Sequence, residues 1–295
     1  MENLVNRKIK RASNLIGFGG LFGSLIFYLY YFFMGGKFYE YLSAFLIPVF
    51  LFLGYIIVFL VGKEKLKDLF LFKKPKGNFL KYILIGLGSV VIALLLTSSI
   101  ILLRDFSDIN LFFGVFNFPF LDIILGIVFV CFLPVFLEEI ICRGMIFGLL
   151  KPYGSKFAII CSAIMFVFIH GNTRQWGVIF LLGLFLGFLL LKTQSLWPGI
   201  LFRFLINSIL FLFNYNYFLQ NVITVKLVFG ITIIIVSLII FYLCKKSNKN
   251  FFETDNELEL AESKGISLTE KLSSFIITPG MILFLGFCLF GSIML

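Results

Sequence analysis

Long apolar runs broken by short polar connections set the pattern of this chain. They fall near 14–34, 41–62, 79–103, 121–150, 156–171, 175–192, 196–214, 222–244 and 276–295. Most approach the ~20 apolar residues that a helix needs to cross a bilayer. Backbone polar groups cannot stay unbonded in lipid, so runs of this length predict helices. The predicted fold is therefore all-α: a polytopic membrane helix bundle of about eight or nine spans. The fifth run is short and the fourth long, and the last contains Pro279 and glycines. That last run is read as a span, with a re-entrant segment as the alternative. Residues 245–275 differ from the rest: they carry Glu253, Asp255, Glu257, Glu259, Glu262 and Glu270 and few large apolar groups. They read as a cytoplasmic linker that becomes helical from Ser267.

The connections fix an orientation. Arg7, Lys8, Lys10 and Arg11 precede the first run, and Lys63, Lys65, Lys67, Lys73, Lys74 and Lys76 fill the loop at 63–78. Lys151, Lys156, Lys192, Lys245, Lys246 and Lys249 mark later turns on the same side. The opposite side keeps little more than Lys37, Arg104 and Arg174. Basic residues concentrate on the cytoplasmic side, which places the N-terminus in the cytoplasm of a multi-pass cell-membrane protein. The first span is read as retained, because no small-residue cleavage site follows the basic segment.

Composition excludes a soluble domain: 60% of the 295 residues are hydrophobic and 14% charged. The net charge of +10 does not point to nucleic acid, since its residues lie in membrane connections. Cys131, Cys142, Cys161, Cys244 and Cys288 fall in or at the ends of apolar runs, without metal-ligand spacing. They read as buried thiols. The 42 phenylalanines read as lipid-facing bulk. The chain divides into N-terminal spans (1–120), a core (121–213) and C-terminal spans (214–295) that include the linker.

Ionisable groups inside the core runs break this uniformity. Each costs at least ~2.5–3.5 kcal/mol at the centre of a span unless it pairs or faces a cavity. Glu138-Glu139-Ile140-Ile141-Cys142-Arg143 sits inside the fourth run. Glu139 and Arg143, at i and i+4, share a helix face, which suits an internal ion pair. Glu138 is rotated ~100° away and has no local partner. The fifth run ends in Phe166-Val167-Phe168-Ile169-His170, which holds the chain's one histidine. A lone histidine on an apolar helix is often a satisfied core residue, but its depth argues otherwise. At ~1.5 Å per residue, Glu138 and His170 both lie roughly 18–21 Å from the cytoplasmic face. Asn207 lies at ~17 Å in its own run, with Arg203 one turn nearer the cytoplasm. Acid, imidazole, amide and guanidinium thus reach one layer.

Such a set suits water activation. A carboxylate and an imidazole sharing a water can remove its proton as it attacks a carbonyl. Asn207 and Arg203 would donate hydrogen bonds to the developing oxyanion. Ser162 or Cys142 as nucleophile is a rival, but neither has a neighbouring base in the sequence. A zinc site is weak, with one histidine and no HExxH spacing.

These residues resemble the CPBP family of intramembrane proteases, the CAAX proteases and bacteriocin-processing enzymes also called Abi proteins. The family's first motif, EExxxR, matches Glu138 to Arg143, and its second, FxxxH, matches Phe166 to His170. Its third, typically HxxxN, matches Arg203 to Asn207 after Gly183, Gly187 and Thr193-Gln194-Ser195-Leu196-Trp197-Pro198. The resemblance covers residues 121–213 and departs at Arg203, where histidine is usual. It implies an all-helical membrane fold and metal-independent endopeptidase activity with no cofactor. Glu138 and His170 would activate water and the third-motif pair would hold the oxyanion. The implied catalytic set is Glu138, Glu139, Arg143, His170, Arg203 and Asn207. Implied substrates are prenylated CAAX proteins, leader peptides, peptide pheromones and bacteriocins. The Phe-, Ile- and Lys-rich composition fits a low-GC bacterial genome, where bacteriocin immunity or peptide-signal processing is the expected biology. Two other readings stand beside this one: a non-catalytic scaffold on a membrane-protein partner, motivated by Arg203, and a transporter or channel using the buried charges as a relay.

Overall fold

The computed structural model of the chain describes residues 2–33, 40–64, 69, 71–76, 83, 119–170, 176–215 and 265–294. All regular structure among them is helical. The apolar runs at 79–103 and 222–244, and most of the linker, lie outside the described residues.

Helix α1 is Glu2–Phe33 and α2 is Glu40–Val61. The basic segment expected to precede the first span belongs to α1 itself. Val5, Ile9, Ala12 and Ile16 are buried at near-helical spacing along one face, so the charged residues between them ride on the outer side of a continuous helix. Residues 119–153 form α3, which changes pitch along its length. It runs as Pro119–Gly126, widens to a π turn over Ile127–Phe132 and returns to α over Leu133–Glu139. It widens again over Ile140–Ile146 and closes with Phe147–Leu150 and a 3₁₀ turn, Lys151–Tyr153. The remaining helices are α4 (Ser155–His170), α5 (Trp176–Thr193), α6 (Trp197–Tyr215), α7 (Leu268–Ile276) and α8 (Pro279–Met294). Three are long and apolar enough to cross a membrane, over Leu4–Phe33, Ile123–Tyr153 and Trp176–Thr193. The pair α7–α8 makes up to four, with a 73° bend between its halves.

Two layers of packing place the core. Helix α4 lies against α3, α5, α7 and α8, while α6 closes on α3 and α5. Glu139 through Phe147 are buried without a break, so α3 is enclosed on all sides there. Outside this core, α1 packs on α2 and α8. Helices α1 and α2 touch backbone to backbone: a Cβ on Gly23 would meet Leu51 Cα at 2.7 Å, and one on Gly54 would overlap the Gly23 backbone. In lipid, where helices gain nothing by hiding apolar surface from one another, such close approach supplies the dispersion energy for association.

Polar groups pin the C-terminal pair to α1. Ser13 Oγ donates to the Phe275 carbonyl, so the 2.8 Å contact with Thr278 Oγ1 has the threonine as donor. Gly280 N donates to Asn14 Oδ1 at 3.0 Å. A capping box starts α7, as the sequence suggests for Ser267: its Oγ accepts from Glu270 N and Glu270 Oε2 accepts from Ser267 N, both at 3.2 Å.

Gly54→Leu is expected to destabilise the protein by about 1–3 kcal/mol, the usual cost of overpacking. It should lower the thermal midpoint in detergent micelles. Gly286→Leu, where an added Cβ meets nothing within 4 Å, should leave the midpoint unchanged.

Candidate active site

Five of the six residues singled out in the sequence converge from α3, α4 and α6. Glu139 and Arg143 lie at the mouth and inside of the second π turn, where Phe147 N–H reaches back five residues to the Cys142 carbonyl. Arg143 Nη1 is 3.2 Å from Glu139 Oε1, and both side chains are 1% exposed. Arg143 Nη2 also donates to the Gly183 carbonyl on α5 at 3.3 Å. The same glycine lets α5 come close to α4: a Cβ on Gly183 would stand 2.9 Å from Ala163 Cα. The other Glu139 oxygen faces the first turn of α6, where a Cβ on Gly199 would lie 3.1 Å from Oε2. The positive end of the α6 dipole favours a carboxylate at that position.

Glu138 finds its charge partner on another helix. Arg203 Nη1 lies 2.6 Å from Glu138 Oε2 and donates a hydrogen bond to Glu139 Oε1 at 3.4 Å. The 2.6 Å approach makes this the tightest ion pair of the cluster. Two carboxylates face two guanidiniums, so the buried set has no net charge when His170 is neutral. That balance is what lets four ionised groups sit inside the bundle.

His170 completes the cluster. Its Nδ1 is 2.8 Å from the Phe166 carbonyl one turn back, so Nδ1 carries the proton and donates. Nε2 then presents its lone pair to the cluster, 3.6 Å from Glu138 Oε2 and 3.5 Å from the donor Arg203 Nη2. The 3.6 Å gap is too long for a direct hydrogen bond. His170 and Glu138 are also the more open members, with side chains 24% and 12% exposed. The sixth residue, Asn207, is half-buried one turn beyond Arg203 and makes no hydrogen bond with the other five.

Phe166 has a part that the sequence did not disclose beyond its place in a motif. Its ring contacts Arg143 Cζ at 4.3 Å and Arg203 Cζ at 4.6 Å, and meets the His170 ring edge-on at 4.3 Å between centroids. One phenyl thus positions both guanidiniums and the imidazole. Its i, i+4 spacing from His170 was the signal available, but it was one phenylalanine among many. The rival nucleophiles are placed otherwise: Ser162 Oγ donates to its own helix at Ile159, and Cys142 is a fully buried thiol.

Residues 119–209 match the family model for type II CAAX prenyl endopeptidases of the Rce1-like group. The core of this chain is similar to Rce1-like proteins. The matched stretch contains all six residues, takes in less than half of the chain and carries the CPBP resemblance of the three motifs. Rce1-like proteins are a protease family of membranes, and the apolar helices here agree with a membrane protein. No curated protein and no solved structure matches the chain.

Arg143→Met alone is expected to cost about 3–5 kcal/mol of stability, because it strands buried Glu139 charge. Glu139→Gln/Arg143→Met should recover part of that loss. Denaturant unfolding of the four proteins in mixed micelles gives the coupling, expected at roughly 0.5–3 kcal/mol. A double variant that loses the simple sum would mean that the pair does not act as one unit.

Proposed function

We propose that this protein is an intramembrane endopeptidase that hydrolyses a peptide bond with water activated by Glu138 and His170. The observation that carries this reading is the approach of Glu138 Oε2 to the unprotonated Nε2 of His170 at 3.6 Å, within a segment similar to a protease family. One water hydrogen-bonded to both groups gives up a proton as its oxygen attacks the scissile carbonyl. Nε2 can take that proton because Nδ1–H stays with the Phe166 carbonyl. The carbonyl oxygen becomes an oxyanion, held by Arg203 N–H groups with Asn207 as the second donor. When the tetrahedral adduct collapses, the C–N bond breaks and the proton passes to the leaving amine. Glu139 and Arg143 touch no reacting atom in this scheme; they position α3 and the Phe166 ring.

The substrate in this reading is a peptide or membrane protein presented from the bilayer. Prenylated CAAX proteins belong to the family's description, whereas leader peptides, pheromones and bacteriocins fit a bacterial setting. Bacteriocin immunity or peptide-signal processing is the biology we propose.

One observation favours a second reading. Arg203 Nη1 stands 2.6 Å from the Glu138 oxygen that the water would use. A guanidinium fixed there would leave a non-catalytic scaffold that regulates a membrane partner.

The test is cleavage of a quenched peptide library by purified protein in detergent. Glu138→Ala and His170→Ala should each lower the rate by about 10²–10⁴-fold, and a chelator should have no effect. Cleavage that survives both substitutions would sink the water-activation scheme. Two substitutions at Arg203 separate the two readings. Wild-type cleavage that falls by about 10²-fold or more in Arg203→Ala is expected of an oxyanion donor. An inert, well-folded wild type that gains cleavage in Arg203→His identifies arginine as a lock.

A further inference from the structure

Away from the charge cluster, residues 71–76 form a basic platform at one end of the bundle. Three bonds fix the segment across the turn between α5 and α6. Lys76 N donates to the Thr193 carbonyl at 2.8 Å and Leu196 N to the Leu71 carbonyl at 3.0 Å. Ser195 Oγ donates to the Lys73 carbonyl at 2.6 Å. The turn itself is held in a defined shape: Gln194 sits in the left-handed region at φ 53° and its Nε2 donates to Leu191 O at 2.7 Å. Lys151, at the end of α3, joins through Nζ to Gln194 Oε1 at 3.2 Å. Lys73 and Lys76 lie within electrostatic reach of it. Lys73, Lys74 and Lys76 are exposed. Among the described residues no carboxylate pairs with these four lysines.

Aromatic groups flank the platform. Phe72 and Trp197 are 39% and 46% exposed, with ring centroids 5.5 Å apart. Phe72 continues onto Phe136 of α3 at 6.0 Å, and Phe136 onto Phe132 at 5.9 Å. The aromatic row therefore runs from the lysines along α3. Two candidate spans end at this same place, at Tyr153 and Thr193. Basic side chains beside exposed aromatic rings at a span end match the chemistry of the bilayer interface, where phosphates meet acyl chains.

We propose that Lys73, Lys74, Lys76 and Lys151, with Phe72 and Trp197, form a binding site for the headgroup of an anionic phospholipid. The phosphodiester lies among the ammonium groups, and the acyl chains follow the aromatic row. Because the backbone bonds hold the segment before any ligand arrives, little ordering cost falls on binding. The site lies apart from the Glu138–His170 cluster, so it does not depend on the proteolytic reading.

The test uses the full-length protein in nanodiscs of zwitterionic lipid with acyl-labelled phosphatidylglycerol as the probe. Lys73→Gln/Lys74→Gln/Lys76→Gln should bind the probe on the order of a hundredfold more weakly. Lys73→Arg/Lys74→Arg/Lys76→Arg, which keeps the charge, should bind as wild type does. Unlabelled phosphatidylglycerol should displace the probe, and inorganic phosphate at equal concentration should not. Equal binding by wild type and the glutamine variant overturns the proposal. Displacement by phosphate as effective as by lipid also overturns it, since the platform would then be a site for free anions.

Discussion

Two carboxylates and two guanidiniums share the centre of this bundle, and their neutrality is the constraint that the rest of the structure serves. A charge deep in apolar surroundings is costly unless an opposite charge compensates it. Glu139 and Arg143 could meet on a single helix, but Glu138 could not be balanced there. Its cation comes from α6, so α3 and α6 cannot separate without exposing two unpaired charges to a low-dielectric interior. Helix α5 enters the same arrangement through the Gly183 carbonyl, and α4 through the Phe166 ring. The polar groups thus specify which helices are neighbours, while apolar packing supplies the bulk of the contact.

Close helix approach makes that arrangement geometrically available. Gly183 accepts from Arg143 of α3 while its missing side chain lets α5 approach Ala163 of α4 closely. The π turn at Ile140–Ile146 contributes in another way. Widening the helix changes the angular relation between the residues before and after it, so Glu139 and Arg143 can address different neighbours while remaining in contact. Such turns disrupt regular bonding and persist where surrounding structure holds them. Here the holding structure is continuous burial from Glu139 to Phe147.

Much of this was legible in the sequence because ionisable residues are rare in apolar runs. Counting residues from the span ends placed Glu138 and His170 at similar depth, and the structure sets them 3.6 Å apart. Less visible features have definite physical reasons. A helix apolar on every side has no periodicity, so nothing in residues 140–146 announces a change of pitch. The start of α1 at Glu2 was hidden because the basic residues at 7–11 look like a connection, although Ile9 and Ala12 between and beyond them are buried. The tie from Ser13 to Phe275 and Thr278 joins residues more than 260 apart in the chain, and no local pattern encodes it. Phe166 could be seen as a motif residue, but its contact with two cations depends on three helices meeting.

The substitution of arginine for the usual histidine at position 203 has two consequences that cannot be separated by charge alone. Two carboxylates require two permanent cations to be neutral without a proton, and Arg203 meets that requirement. The same atom that balances Glu138, Nη1, stands 2.6 Å from the Oε2 that the proposed water would use. Nη2, however, already lies beside His170 Nε2 at 3.5 Å. A guanidinium has five N–H groups in a rigid plane. A small rotation about its long, flexible stem would exchange the Glu138 contact for one with a substrate oxygen without removing positive charge from the cluster. In the proposed scheme the substrate oxyanion has to compete with Glu138 for Arg203. The transition state, carrying a full charge where the ground-state carbonyl carries a dipole, is the species best equipped to do so.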